Sequence, residues 1–286
     1  IPYLRGRFVS NKPDAILKEV KKLAESGTKE LIVVGQDILH YGIDLNDNKF
    51  FNKGEKPIVS LINKMSKVNG IEWIRLLYCY PEEIDDSIIK LIRDNDKVLP
   101  YIDMPIQHIN DKILKLMSRK TTKASIIGTI KKLREEIPNI CIRTTLIVGF
   151  PGETEKEFKD LLDFVSVASF DKLGVFCYSR EKLSKSYDMK GQVDEKTKKL
   201  RRKLILNAQR KVVRKKNNAR VGLVYNAIVE GKDTTKKDTY VVRPYFDARD
   251  IDDKVFVKSK DELISGSFIN VEITKSLGYD LEGVII

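Results

Sequence analysis

No stretch of this sequence comes near the roughly 18 uninterrupted apolar residues that a membrane-spanning helix requires, and no secretory apolar segment opens it. A membrane-embedded or exported protein is therefore not expected. Cysteine is scarce: Cys79, Cys141 and Cys177 lie far apart, each in or beside an apolar strand-like run. No pair has metal-site spacing, so the sequence assigns no metal ligands. The three read as small core residues of a protein kept in a reducing cytoplasm. An initiator methionine is also missing. The chain opens on Ile1-Pro2, which leads us to expect a segment upstream. A phosphate-binding P-loop is excluded too, because Glu153-Thr154 stands after Gly152 where that motif needs Lys-Ser/Thr.

What is present is a globular composition over 286 residues, enough for one large unit and one small one. The net charge of +12 is unevenly placed. Residues 190–220 hold thirteen Lys/Arg against Asp194 and Glu195, giving +11, whereas residues 221–286 hold nine basic and twelve acidic residues, giving −3. The basic segment reads as a long helix from Asp194 to about Ala219, with Leu200, Leu204, Ala208 and Val212 along its inner side. Its charge is either a solvated face or a contact for nucleic acid.

The most informative stretch runs from Arg143 to Phe158. Thr144 to Val148 is a short β-branched run of the kind buried on both faces, and Gly149, Pro151 and Gly152 end it. Thr154 with Glu157 forms a capping box, after which Phe158, Leu161, Leu162 and Val165 recur at helical spacing. This is one strand-turn-helix unit of a parallel sheet or barrel. Its glycines either shape the turn alone or let a ligand approach, beside the N–H donors that a helix start offers.

Other units precede and follow it. Helices are predicted over Pro13–Ala24, Pro57–Val68, Asp85–Asn95, Asp111–Met117 and Lys123–Ile137, and strands over Leu31–Val34, Trp73–Tyr80, Val98–Met104 and Lys172–Cys177. The alternation predicts an α/β fold, an open partial (β/α) barrel with its first strand missing upstream. Polar and glycine residues gather at the strand ends: Gly35-Gln36-Asp37, Gln107-His108, Gly149 to Glu153 and Tyr178-Ser179-Arg180. Beyond the basic helix, five short β-branched runs between Leu223 and Ile286 predict a small antiparallel barrel of OB-like size.

Four motifs then resemble one family. Ile1-Pro-Tyr-Leu-Arg-Gly-Arg7, Val34-Gly-Gln-Asp37 with Tyr41-Gly-Ile-Asp-Leu45, Met104-Pro-Ile-Gln-His108 with Leu114-Lys-Leu-Met-Ser-Arg119, and Ile147-Val-Gly-Phe-Pro-Gly-Glu-Thr154 are similar to radical-SAM methylthiotransferases. The resemblance spans the chain. It implies a radical-SAM core over residues 1–219 and a TRAM domain over 220–286. It also implies S-adenosylmethionine and two 4Fe-4S clusters in the intact protein, with all cluster cysteines upstream of this chain, which should then be inactive alone. Positions matching the family's cofactor side are Gly35, Gln36 and Asp37 at one strand end, and Arg143, Thr145, Val148 and Gly149 on another; Arg143 is expected to fork onto the cofactor carboxylate. Gln107 and His108 are further candidates.

Two branches of the family differ in substrate. Gln36-Asp37, the Tyr41–Leu45 run, Arg243-Pro-Tyr-Phe-Asp-Ala-Arg-Asp-Ile-Asp252 and Gly278-Tyr-Asp-Leu281 resemble the branch that modifies an aspartate of small-subunit ribosomal protein twelve. An acidic barrel also suits a basic partner better than RNA. The implied protein is a cytoplasmic monomer that meets its substrate free or on the ribosome and draws on an electron donor. The alternatives are a transfer-RNA adenosine methylthiotransferase and a non-catalytic RNA-binding fragment, with residues 190–220 as the RNA contact in either case.

Overall fold

The computed structural model describes residues 6–45 and 50–286, so residues 1–5 of the opening motif and residues 46–49 of the first long loop lie outside it. Helix α1 (Pro13–Glu25) begins with proline at a position where no helical N–H is lost. There follow β1 (Glu30–Val33), α2 (Pro57–Met65), β2 (Trp73–Leu76), α3 (Asp86–Asp94), β3 (Val98–Asp103), α4 (Asp111–Leu116), α5 (Lys123–Glu136), β4 (Cys141–Val148), α6 (Glu155–Ala168) and β5 (Lys172–Cys177). Next come α7 (Glu195–Arg220) and strands β6 (Val224–Lys232), β7 (Thr239–Pro244), β8 (Val255–Lys258), β9 (Phe268–Ser276) and β10 (Leu281–Ile285). The chain packs as two compact units, residues 1–103 with 132–140, and residues 104–131 with 141–286.

In the first unit β1, β2 and β3 pair in parallel, with Leu31 beside Ile74 and Ile74 beside Val98. Arg75 on β2 is fully buried; its Nε donates to Glu30 at 2.8 Å and its guanidinium lies 4.4 Å from the Tyr101 ring centre. β2 is shorter than its apolar run predicts. Asp103 stops it by accepting the Tyr78 N–H on its carboxylate and the Cys79 N–H on its carbonyl, which turns Tyr78 to a φ of 60°.

In the second unit β4 and β5 pair in parallel, Thr145 beside Gly174 and Ile147 beside Phe176. The alternation of β4 is sharper than a strand buried on both faces: Ile142, Thr144, Leu146 and Val148 are buried, while Arg143, Thr145 and Ile147 remain partly open. The capping box at Thr154 forms, with the Glu157 carboxylate accepting the Thr154 N–H at 2.9 Å. Five parallel strands alternating with helices, three in one unit and two in the other, are the partial barrel that the sequence predicts.

The last five strands close into a barrel in the order β10-β8-β7-β6-β9. It is mixed rather than wholly antiparallel, because β10 closes it by pairing in parallel with β8, Leu281 beside Val255. The Arg243–Asp252 run that marks this barrel in the sequence packs against β4 and β5. Phe246 is buried under the Arg220 guanidinium, 4.1 Å from its ring centre, and its carbonyl accepts from the Cys141 thiol at 3.4 Å. Lys172 is held between Asp247 and Asp253, the latter at 2.6 Å.

The inner side of α7 is not the one read from the sequence. Leu200 and Leu204 are exposed; the buried stripe is Lys198, Arg201, Ile205, Gln209, Val213 and Asn217. The polar members of that stripe are hydrogen-bonded to distant parts of the unit: Gln209 donates to the Phe170 carbonyl at 2.8 Å, and Asn217 to the carbonyls of Gly278 and Tyr279. These partners, rather than apolar periodicity, choose the face.

Burial pushes the Asp247 carboxyl up to about 6 despite the Lys172 charge beside it. A carboxyl raised in the folded state binds its proton more tightly there than in the unfolded chain, so stability falls as pH rises from about 4 through 6. Asp247→Asn is expected to flatten that slope, read as the change in chemical-unfolding midpoint between these pH values; an equal slope in the variant would refute the assignment.

Candidate functional site

The carboxyl end of β1 delivers Gly35, Gln36 and Asp37 into a cleft of about 990 Å³ whose walls include Arg7, Val20, Leu31 and Tyr80. Gly35 leaves room for Ile38, whose Cγ2 would stand 3.1 Å from an added Cβ. Asp37 Oδ2 lies 2.6 Å from His40 Nδ1, and His40 Nε2 lies 3.2 Å from Glu83 Oε1. Lys56 continues the chain, donating to the Glu83 carbonyl at 2.8 Å and pairing with Asp85 at 2.9 Å. His40 fixes one oxygen of Asp37 and leaves the other. Oδ1 is buried with no hydrogen-bond partner among the described residues, an acceptor suited to an ammonium or another N–H donor.

The second unit places the remaining candidates. Gln107 has a φ of 68°, uncommon for a residue with a side chain, and is held there by β4: its N–H donates to the Thr145 carbonyl at 2.9 Å and its carbonyl accepts from Ile147 at 2.8 Å. Its Oε1 is buried and unpartnered among the described residues. A strained backbone with an orphan acceptor at a strand end is the signature of a position kept for something other than packing. Thr145 lies alongside, on the half-open face of β4 opposite Gly174.

Arg143 and Val148 stand towards opposite ends of β4, and Gly149 follows it directly. Arg143 stands at the amino end of β4, about 16 Å along the strand from Val148, and its Nε lies 3.5 Å from Asp252 Oδ1. Val148 is fully buried and its carbonyl accepts the Tyr178 N–H. Gly149 has a φ of 75°, and a Cβ there would run into the Lys198 side chain. The Gly149 N–H is taken as well, by Glu153 Oε2 at 3.0 Å. The turn therefore offers no open Gly149 donor, and its glycine makes room for a lysine of the same chain.

Glu153 is the centre that sequence reasoning did not single out. Its side chain is wholly buried; besides Gly149, it accepts from Arg201 Nη1 at 2.7 Å. Arg201 Nη1 also donates to the Glu153 carbonyl at 3.0 Å. His108, also fully buried, accepts the Asn110 N–H on Nδ1 at 2.9 Å, so its ring proton is assigned to Nε2, which faces Glu153 Oε2 at 3.5 Å. Glu153 thus joins the β3–α4 connection, the β4–α6 turn and α7. The Gly-Glu-Thr step before a helix was the available signal; the burial of Arg201 in a cation-dense helix was not readable.

Among the described residues no three His, Cys, Asp or Glu side chains converge as metal ligands. Cys79 and Cys141 are buried, and burial pushes both thiols up, away from the thiolate that an iron–sulfur cluster needs. These residues do not fit a cluster. Nor is any helix among them long and apolar enough to cross a membrane.

The radical SAM superfamily model matches residues 1–165, and the TRAM domain model residues 221–286. The whole chain is 47% identical over 285 residues to the ribosomal protein uS12 methylthiotransferase RimO of Clostridium acetobutylicum, of which it covers 62%. It is 47% identical over 288 residues to the RimO of Acetivibrio thermocellus, of which it covers 61%. The chain thus spans somewhat over half the length of these relatives. Among solved structures it is similar to the coproporphyrinogen III oxidase HemN of Escherichia coli, with 14% identity and a TM-score of 0.48 over 82% of this chain and 60% of that one. By the motifs at its strand ends, the alternating parallel strands, the closing barrel and the family and RimO matches, the chain belongs to the radical SAM superfamily, carries a TRAM domain at residues 221–286 and is RimO-like throughout its length.

Proposed function

We propose that this chain is the cofactor-holding and substrate-docking portion of a methylthiotransferase that adds a methylthio group to the β-carbon of an aspartate in ribosomal protein uS12. The observation that carries the proposal is the 47% identity over the whole chain, barrel included, to proteins named ribosomal protein uS12 methylthiotransferase. Its domains are taken as residues 1–219 and 220–286. The intact protein is taken to use S-adenosylmethionine and two 4Fe-4S clusters with an electron donor, as a monomer in the cytoplasm.

S-adenosylmethionine, when bound, supplies the radical that takes hydrogen from an unactivated carbon. The residues of this chain hold and orient it. Asp37, with one oxygen anchored by His40 and the other unpartnered, is suited to the amine of the cofactor's methionine part, with Gly35 and Gln36 beside it. Gln107 and Thr145 offer an acceptor and a hydroxyl to its adenosine part. Arg143, Val148 and Gly149, on the same strand as Thr145 and the turn that follows it, are taken as further cofactor-side positions. The acidic barrel, at −3, is suited to a basic protein substrate.

The test uses the product of the complete reading frame, reconstituted anaerobically with iron and sulfide, then incubated with S-adenosylmethionine, reductant and either purified uS12 or bulk transfer RNA. Mass spectrometry is expected to find one methylthio group on an aspartate of uS12 and unchanged transfer RNA. Modified transfer RNA with untouched uS12 would replace this reading by the transfer-RNA branch. If neither is modified by an enzyme that cleaves S-adenosylmethionine, both readings fail.

A further inference from the structure

Helix α7 carries twelve cations, and the fold divides them by face. Five have partners in the protein: Lys198 with Glu195, Arg201 with Glu153, Arg202 with the Val175 carbonyl, and Lys216 and Arg220 with Asp171. The other seven are exposed, and among the described residues none of them forms an ion pair. Four of these, Lys199, Lys203, Arg210 and Arg214, fall within about 60° of helical arc and span about 22 Å along the axis. Lys196, Lys211 and Lys215 flank them. No carboxylate interrupts the row, because the helix has no acidic residue after Glu195.

A straight row of like charges with no internal counterion fits a polyanion whose charge is equally continuous. The rest of the helix decides which polyanion. A membrane-surface helix needs a free apolar face, yet the inner face of α7 is spent on Glu153, Phe170 and the β9–β10 turn, leaving only Leu200 and Leu204 exposed. Unpaired bases would need aromatic platforms, and the helix has no aromatic residue. What remains is backbone recognition without base stacking, which is how double-helical RNA is held.

We propose that the outer face of α7 docks the phosphate backbone of double-helical RNA. This deepens the nucleic-acid contact read from residues 190–220 to a surface and a ligand class. It does not depend on which substrate is methylthiolated.

The test measures fluorescence anisotropy of this chain with a blunt-ended RNA duplex, beside a single strand of the same length, vesicles containing phosphatidylserine, and polyglutamate. The duplex is expected to bind best. Four phosphate contacts imply that raising salt from about 50 to 200 mM weakens binding about a hundredfold. Replacing Lys199, Lys203, Arg210 and Arg214 together by Gln is expected to abolish most of that binding and flatten its salt dependence, with circular dichroism unchanged. A charge-matched control, Lys18, Lys21, Lys22 and Lys67 to Gln on the exposed surfaces of α1 and of the turn after α2, should leave binding as it was. Equal losses in both variants would reduce the effect to net charge and overturn the proposal. Tighter binding of the single strand, the vesicles or polyglutamate than of the duplex would overturn it as well. The duplex contains no methylthiolation substrate and the assay needs no cluster, so failure here leaves the enzymatic reading standing, and the reverse.

Discussion

Glu153→Ala is expected to remove about 3–5 kcal/mol of folding stability, the cost of leaving a buried charge without its partner. Arg201 is 7% exposed and has its shortest contact to this carboxylate, and the Gly149 N–H and His108 Nε2 face it as well. For a domain whose total stability is about 5–15 kcal/mol, that is a large share. Glu153→Gln, which keeps an acceptor for Gly149 but loses the charge opposite Arg201, should fall between. The pair Glu153→Leu with Arg201→Met should recover much of the loss, since neither charge is then stranded. Equilibrium unfolding in denaturant reads all three. A loss below about 1 kcal/mol for Glu153→Ala would mean that water reaches Arg201 and that the three segments are not joined through this residue.

Gly149→Ala is the second large effect, with two separable causes. Its φ of 75° is costly for any residue with a Cβ, about 1–3 kcal/mol, and the new methyl would collide with the Lys198 stem. Forcing apart a packed contact costs about as much again. The sum, about 3 kcal/mol or more, should be only partly relieved by adding Lys198→Ala, which makes space but leaves the backbone strained. Full recovery in the double variant would show the conformational term to be negligible and the turn to be softer than its hydrogen bonds imply.

The stretch from Thr144 to Phe158 was legible because its information is local. A β-branched run, a glycine turn and Thr154 with Glu157 three residues later each restrict the backbone of their own neighbourhood, and strand, turn and capped helix follow. The barrel strands were legible for the same reason, although the parallel closure of β10 on β8 was not, since nothing in either strand names its partner. The inner face of α7 failed for a physical cause. Leu200, Leu204, Ala208 and Val212 gave the longest apolar row, while four of the six buried positions are filled by Lys198, Arg201, Gln209 and Asn217 beside Ile205 and Val213. Burial of such groups depends on acceptors such as Glu153, Phe170 and Gly278, up to 61 residues away in the chain. Asp37 and Gln107 were picked out by lying at strand ends, but the oxygen each leaves unpartnered is a property of the folded surroundings. Arg143 has the chemistry to meet a carboxylate, and the one it lies near belongs to Asp252.

Because α7 is seated by directed polar contacts along its whole length, it works as a keyed shaft. An apolar helix can slide or roll by a fraction of a turn and find new neighbours of similar quality; one keyed by Arg201 at one end and Asn217 at the other cannot. Sixteen helical steps separate those two keys, about 24 Å. Adding or removing one residue between them would turn one key about 100° away from its lock. The number of residues in this stretch is therefore fixed by geometry even where their identities are free. Solvent-facing positions such as Leu204 and Asn207 can drift in kind, whereas the count between Arg201 and Asn217 cannot drift at all without reseating the barrel against the Gly149 turn.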